Sequence, residues 1–189
     1  MRELSLHLLD IAENSVNAKA KNIDILVSED SRSDRLYMMI TDDGTGMDAE
    51  TAAHVTDPFV TSRTTRKVGL GLPFLKMAAE SCGGFLTLQS QEGVGTRVEV
   101  EFQRSHIDRM PLGDLSGTIL SLEIGFPQVH WIFTYRGNDE EYRFDDAVIK
   151  KELEGIPLSE PAVIHFLREM IDDGIQAVQP VGETTFTQP

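Results

Sequence analysis

The sequence predicts an α+β fold of two layers, with helices covering one face of a sheet. Three observations carry that prediction: an amphipathic helix within the first twenty residues, strands in which polar and apolar residues alternate, and glycine-rich turns that close each segment. Alternation leaves one sheet face wet, so the helices belong on the other.

The elements follow in order. Leu4, Leu8, Ile11 and Ser15 recur at helical spacing and define a buried face for a helix running to about Ala20. Asp10, Glu13, Asn14 and Asn17 lie on or beside that face. Four residues of α-helix turn through about 400°, so Asp10 and Asn14 stack within roughly 40° of each other, one turn apart. A carboxylate and an amide so placed can hold a metal, orient a water, or both. Ile23 to Val27 and Leu36 to Ile40 read as strands joined by a polar loop over residues 28–34. The second strand runs into Asp42-Asp43-Gly44-Thr45-Gly46-Met47, where the backbone must approach something closely or adopt positive φ. Asp48 is placed to cap a short helix ending near Val55, and residues 60–68 are polar and poorly patterned. Gly69-Leu70-Gly71-Leu72 opens a helix closed by Gly83-Gly84; unpaired N–H groups at such a terminus suit a phosphate. Residues 85–90 and 96–102 read as a hairpin turning at Gly93 and Gly95.

Composition narrows the classes. The chain has 189 residues, 40% of them apolar, enough to build a core without staples. Seventeen basic side chains against 31 acidic ones give −14, with −9 of it beyond residue 104, so nucleic acid is not an expected partner. The single cysteine, Cys82, excludes an intrachain disulfide. No apolar run reaches membrane-spanning length, and Asp10 and Glu13 interrupt any secretory signal pattern. A cytoplasmic protein is expected.

Four blocks in this order resemble the superfamily of gyrase, heat-shock chaperone, histidine kinase and MutL ATPases, which share the Bergerat ATP-binding fold. Residues 10–18 resemble the N box, closest to its MutL form, and residues 42–47 the first glycine box. Asp57-Pro58-Phe59-Val60-Thr61-Ser62-Arg63 followed by Gly69-Leu70-Gly71-Leu72 is similar to the F box and second glycine box of sensor kinases; Gly93-Val94-Gly95-Thr96 matches the last. The resemblance spans residues 1–104, which form the expected ATP-binding domain.

That resemblance implies ATP and Mg²⁺ as ligands. It places Asn14 at the metal position, where an amide oxygen suits a hard cation, with Asn17 beside it. Asp42 matches the adenine-recognising aspartate; Gly44, Gly46 and Met47 line the approach to the base, and Thr96 sits near the same edge. Gly69, Leu70, Gly71 and Leu72 would wrap the phosphates, with Phe59, Thr61, Ser62 and Arg63 in the lid. Hydrolysing members carry a glutamate where this chain has Asp10, one methylene shorter; Asp10 is the expected base, with Glu13 as the other candidate. Lys67 and Val68 depart from the kinase pattern. No phosphoacceptor hairpin is expected before the N box, and the five histidines lack the motif that would surround one.

Beyond Phe102 a linker leads to a helix over residues 114–125, a hairpin around residues 136–140, a helix from Asp145 or Asp146 to about residue 154, and another capped by Ser159 and ended by Gly174. This αββαα extension, residues 105–177, reads as an acidic interaction or dimerisation module, with a disordered tail over residues 178–189. The expected function is a slow Mg-ATPase or nucleotide-dependent switch acting on a protein partner, with a homodimer as one arrangement. The alternatives are a protein kinase resembling the anti-sigma-factor serine kinases and an ATP sensor that does not hydrolyse.

Overall fold

The computed structural model describes residues 3–56, 71–153 and 155–180. The expected two layers are present. One sheet of six strands, in the order β3-β4-β2-β1-β5-β6, carries helices on one face. Its strands are β1 (Asn22–Asp30), β2 (Arg35–Asp42), β3 (Phe85–Gln91), β4 (Gly95–Gln103), β5 (His130–Gly137) and β6 (Glu140–Asp145). The helices are α1 (Leu4–Asn17), α2 (Ala49–His54), α3 (Gly71–Ser81), α4 (Leu115–Gly125), α5 (Asp146–Glu152) and α6 (Pro161–Val178).

The alternation read from the sequence becomes alternating burial. Ile23, Ile25 and Val27 of β1, Leu36, Met38 and Ile40 of β2, and Val98, Val100 and Phe102 of β4 face the helices and are buried. Leu4, Leu8, Ile11 and Ala12 of α1 and Leu72, Leu75 and Ala79 of α3 cover them. Strands β1 and β2 are longer than expected, so the polar loop shrinks to a turn in which Asp34 takes φ 57°. Helix α1 ends at Asn17, short of the expected Ala20, because Lys19 turns left-handed at φ 64°.

The C-terminal elements continue the same sheet. Strand β5 pairs in parallel with β1, from Asn22 opposite His130 to Glu29 opposite Gly137, and β6 closes the antiparallel hairpin outside it. Trp131, Phe133 and Tyr135 extend the buried row begun by Ile23, Ile25 and Val27. Helix α4 packs beside α1, and α6 packs on α4, β5 and β6. The segment between the halves also caps α1: its first N–H groups, on Leu4 and Ser5, donate to the carbonyls of Pro111 and Leu112 at 2.9 and 2.8 Å. Those donors have no partner within a helix. Glu29, fully buried on β1, accepts from Arg104 Nε at 2.7 Å and from the Tyr135 hydroxyl, joining the linker and β5 to the central strand.

Two sequence expectations for α6 differ from what is found. Glu160, not Ser159, occupies the N-cap, and no side chain caps it there. Gly174 does not end the helix, which runs on to Val178. A Cβ at Gly174 would come within 2.3 Å of the Tyr142 ring, so this glycine serves a close helix-to-strand contact rather than a stop. The tail expected after this helix lies, beyond Pro180, outside the described residues.

Candidate functional site

The site forms where the end of β2 meets the C-terminal half of α1 and the β3–β4 turn. Asp42 is the last residue of β2 and, by strand alternation, points to the helix side, where it is 8% exposed. Its Oδ2 accepts from the Ser15 hydroxyl at 2.6 Å and its Oδ1 from the Gly44 amide at 2.9 Å. A carboxylate has about four lone-pair positions, so capacity remains at the small exposed part of Asp42. Thr96 stands directly opposite Asp42 in the β2–β4 register.

The loop after β2 is held at both ends. Thr45 donates its N–H to the Ala18 carbonyl at 2.8 Å, and its own carbonyl accepts from the Gly93 N–H at 2.8 Å. Met47 N–H donates to Ser90 Oγ at 2.9 Å, while Ser90 Oγ donates to the Gly95 carbonyl at 3.0 Å. With its own proton committed, Ser90 accepts from the Thr96 hydroxyl at 2.9 Å, which fixes the Thr96 oxygen with lone pairs free. Gly46 needs its missing side chain: φ is +64° and a Cβ would lie 2.0 Å from the Gln91 carbonyl oxygen. At Gly44 an added Cβ would meet the Ala18 carbonyl and Asp42 Oδ1, each at 2.9 Å.

Asp43 points the other way. Its carboxylate accepts from the Lys21 amide at 2.7 Å and from the Asn22 amide and side chain at 2.9 and 2.6 Å. Burial pushes its pKa up, but the Asn22 and Lys21 donors outweigh that and hold it below the usual carboxylate range. The two adjacent aspartates thus face opposite sides of the sheet: Asp43 anchors the chain after α1, and Asp42 keeps unused acceptor capacity.

The other predicted residues fall as follows. Asn14, Asn17 and Glu13 are exposed on α1, and Asp10 is half-buried one turn before Asn14. Gly44, Gly46, Met47 and Thr96 gather around Asp42. Gly71 begins α3 and Leu72 is buried against the core. Phe59, Thr61, Ser62, Arg63, Lys67, Val68, Gly69 and Leu70 lie outside the described residues. Sequence reasoning missed Ser15 and Ser90 as site residues. Ser15 was legible only as a polar residue on the apolar stripe of α1, and Ser90 as the strand partner of Thr96.

A family model for histidine kinase-, DNA gyrase B-, and HSP90-like ATPases matches residues 2–106, more than half of the chain. The chain belongs to this family. Membership in this ATPase family brings ATP binding in general, and the residues around Asp42 fit it: a buried acceptor with spare capacity beside glycines that admit a close ligand. Among relatives, an NtrY-like sensor histidine kinase of Rickettsia conorii is 26% identical over 108 residues, 57% of this chain and 18% of the relative. The CAI-1 autoinducer sensor kinase/phosphatase CqsS of Vibrio cholerae is 25% identical over 105 residues, 56% of this chain and 15% of the relative. The chain therefore spans less than a fifth of the length of these relatives. The solved N-terminal domain of a DNA repair protein shares the fold, with a TM-score of 0.53 at 14% identity over 76% of this chain and 52% of that one. Among the described residues no helix is long and apolar enough to cross a membrane.

Proposed function

We propose that this ATPase-family chain binds Mg-ATP and acts as a slow ATPase or nucleotide-dependent switch on a protein partner. One observation carries the reading: the Asp42 carboxylate is buried and oriented by Ser15 and Gly44, beside an ordered Thr96 hydroxyl. A carboxylate so held accepts from the exocyclic amino group of adenine, whereas guanine would present a carbonyl oxygen to it. That repulsion between two acceptors supports selection of adenine by about a hundredfold or more.

Asn14 is the residue proposed to hold Mg²⁺, which would offset the charge of the nucleotide phosphates. Asp10, one turn earlier on α1 and half-buried, is the proposed base that orients and deprotonates water for attack on the terminal phosphate. Its shorter side chain supports slow turnover, since a misplacement of about 1 Å costs about a hundredfold. Glu13 precedes Asn14 by one residue, about 100° away around α1, whereas Asp10 stacks one turn below it, which favours Asp10 of the two. The acidic C-terminal elements, built onto the same sheet and packed on α1 through α4, are the proposed means by which a bound nucleotide alters partner binding.

Calorimetry with ATP, ADP and GTP, with and without Mg²⁺, followed by phosphate release in the same sample, tests this reading. Magnesium-dependent preference for adenine nucleotides with release abolished in Asp10→Asn supports it. Equal affinity for GTP sinks the Asp42 assignment, and transfer of label to a protein would make the chain a kinase instead.

A further inference from the structure

A second cluster of chemically competent side chains lies on the far side of β1 from α3, where β5, β6 and α5 converge. His130, Asp145 and Asp146 each offer one ligand atom, and the three atoms lie within 4.8 Å of one another. His130 Nε2 is 2.9 Å from Asp145 Oδ1 and 3.6 Å from Asp146 Oδ1. The other oxygen of each aspartate faces a cation: Lys150 donates to Asp146 Oδ2, and Arg143 lies 3.9 Å from Asp145 Oδ2. Asp145 Oδ1 also accepts from the Ala147 amide at 3.1 Å.

Two features set this cluster apart from an ordinary acidic patch. Asp146 is 1% exposed, and its Oδ1, turned toward Nε2, has no hydrogen-bond partner. Leaving one buried carboxylate oxygen without a partner is costly. The second feature is the tautomer of His130. Asn22 donates its Nδ2 to Asp43, which leaves Asn22 Oδ1 facing His130 Nδ1 at 3.2 Å. An amide oxygen only accepts, so Nδ1 donates to Asn22, which leaves Nε2, 2.9 Å from Asp145 Oδ1, as the ring nitrogen at which a metal ion can replace a proton. A metal ion in place of that proton would also satisfy Asp146 Oδ1, which the hydrogen bond from Nε2 to Asp145 leaves without a partner. An outer partner that fixes the imidazole in this way is characteristic of metal-ligating histidines.

We propose that His130 Nε2, Asp145 Oδ1 and Asp146 Oδ1 bind a divalent first-row transition ion of the zinc type. One imidazole and two carboxylates, with further positions left for water, match the ligand preferences of such ions and not those of Mg²⁺, which favours all-oxygen sites. Of the three, Asp145 also lines a surface groove of about 550 Å³ with Ala147, Val148, Lys151 and Glu152. The site is distinct from the Asn14 position proposed for Mg²⁺ and needs no nucleotide.

The test is titration of the chelator-treated full chain with Zn²⁺ alone, by calorimetry, with Co²⁺ absorption and the ¹⁵N shift of His130 Nε2 as spectroscopic readouts. One ion per chain is expected, with Mg²⁺ at millimolar concentration failing to compete and the Nε2 shift moving on binding. His130→Gln and Asp145→Asn should each weaken binding more than about a hundredfold, and Asn22→Ala roughly ten- to a hundredfold through the lost tautomer control. Circular dichroism and ATP affinity establish that each variant is folded. Absence of a stoichiometric Zn²⁺ site would overturn the proposal, as would Zn²⁺ affinity unchanged in folded His130→Gln, or an Nε2 shift that follows pH but not metal; in that last case a proton supplies the bridging charge.

Discussion

The Ser15 hydroxyl donates to Asp42 Oδ2 at 2.6 Å across 27 residues of sequence, joining α1 to the end of β2 at the point where the candidate nucleotide site begins. Both residues are buried, at 4% and 8% exposure, so the bond is shielded from water and holds the carboxylate in one orientation. Ser15→Ala removes the donor without filling the space. Stability should fall by about 1–2 kcal/mol, and ATP affinity roughly tenfold, in thermal unfolding and calorimetry respectively. Unchanged affinity would mean that Ser15 supports the fold and not the ligand.

Asp42→Asn preserves shape while replacing an acceptor by an amide. Adenine nucleotide binding should fall by more than about a hundredfold, with only a small shift in Tm, because the remaining carbonyl oxygen can still accept from Gly44 while the new amide donates to Ser15 Oγ, whose proton can turn to the Ile11 carbonyl. Measuring both quantities on the same preparation separates recognition from folding.

Gly46→Ala tests the backbone requirement. The left-handed φ and the approach to the Gln91 carbonyl leave no room for a methyl group, so the loop must move. A loss of at least about 2 kcal/mol is expected by denaturant unfolding, together with weakened ATP binding. A stable Gly46→Ala variant with full affinity would show that this loop has slack.

Much of this was legible in the sequence because period-2 alternation and Gly punctuation are local signals. Strands β1 to β4 and the Asp48 cap, whose Oδ1 accepts from Thr51 N–H at 2.7 Å, follow directly from them. The union of β5 with β1 was not legible. It depends on pairing residues such as Asn22 and His130 across 108 positions, and a parallel neighbour leaves no turn signature in either strand. Gly174 misled for a related reason: a glycine that makes room for Tyr142 looks identical in sequence to one that ends a helix.

Two buried groups give stability a pH window. Burial lowers the pKa of His7 below 6.5, so its contribution is present above the unfolded value and lost as pH falls beneath it. Glu123 acts from the other side. Burial, then the neighbouring Asp146 carboxylate, raises it to about 7 from 4.5, against the opposing effect of Lys150. The folded chain keeps a proton that the unfolded chain releases, so stability is full below about 4.5 and declines as pH climbs to about 7. Glu123→Gln should abolish that decline and raise stability at pH 8 by on the order of 2 kcal/mol in chelator-treated protein. Parallel pH profiles for the two proteins would show that Glu123 does not titrate in this range.

The order of strands also bears on how the chain emerges during synthesis. Helix α1 and strands β1 to β4 are made first, yet one edge of β1 meets its partner only when β5 is made, 108 residues after Asn22. Until then the ribosome-bound chain displays an open backbone ladder flanked by Ile23, Ile25 and Val27, the kind of template on which other nascent chains can pair. Protection during translation, or delay of strand pairing until β5 emerges, is therefore a demand that this topology places on the cell making it.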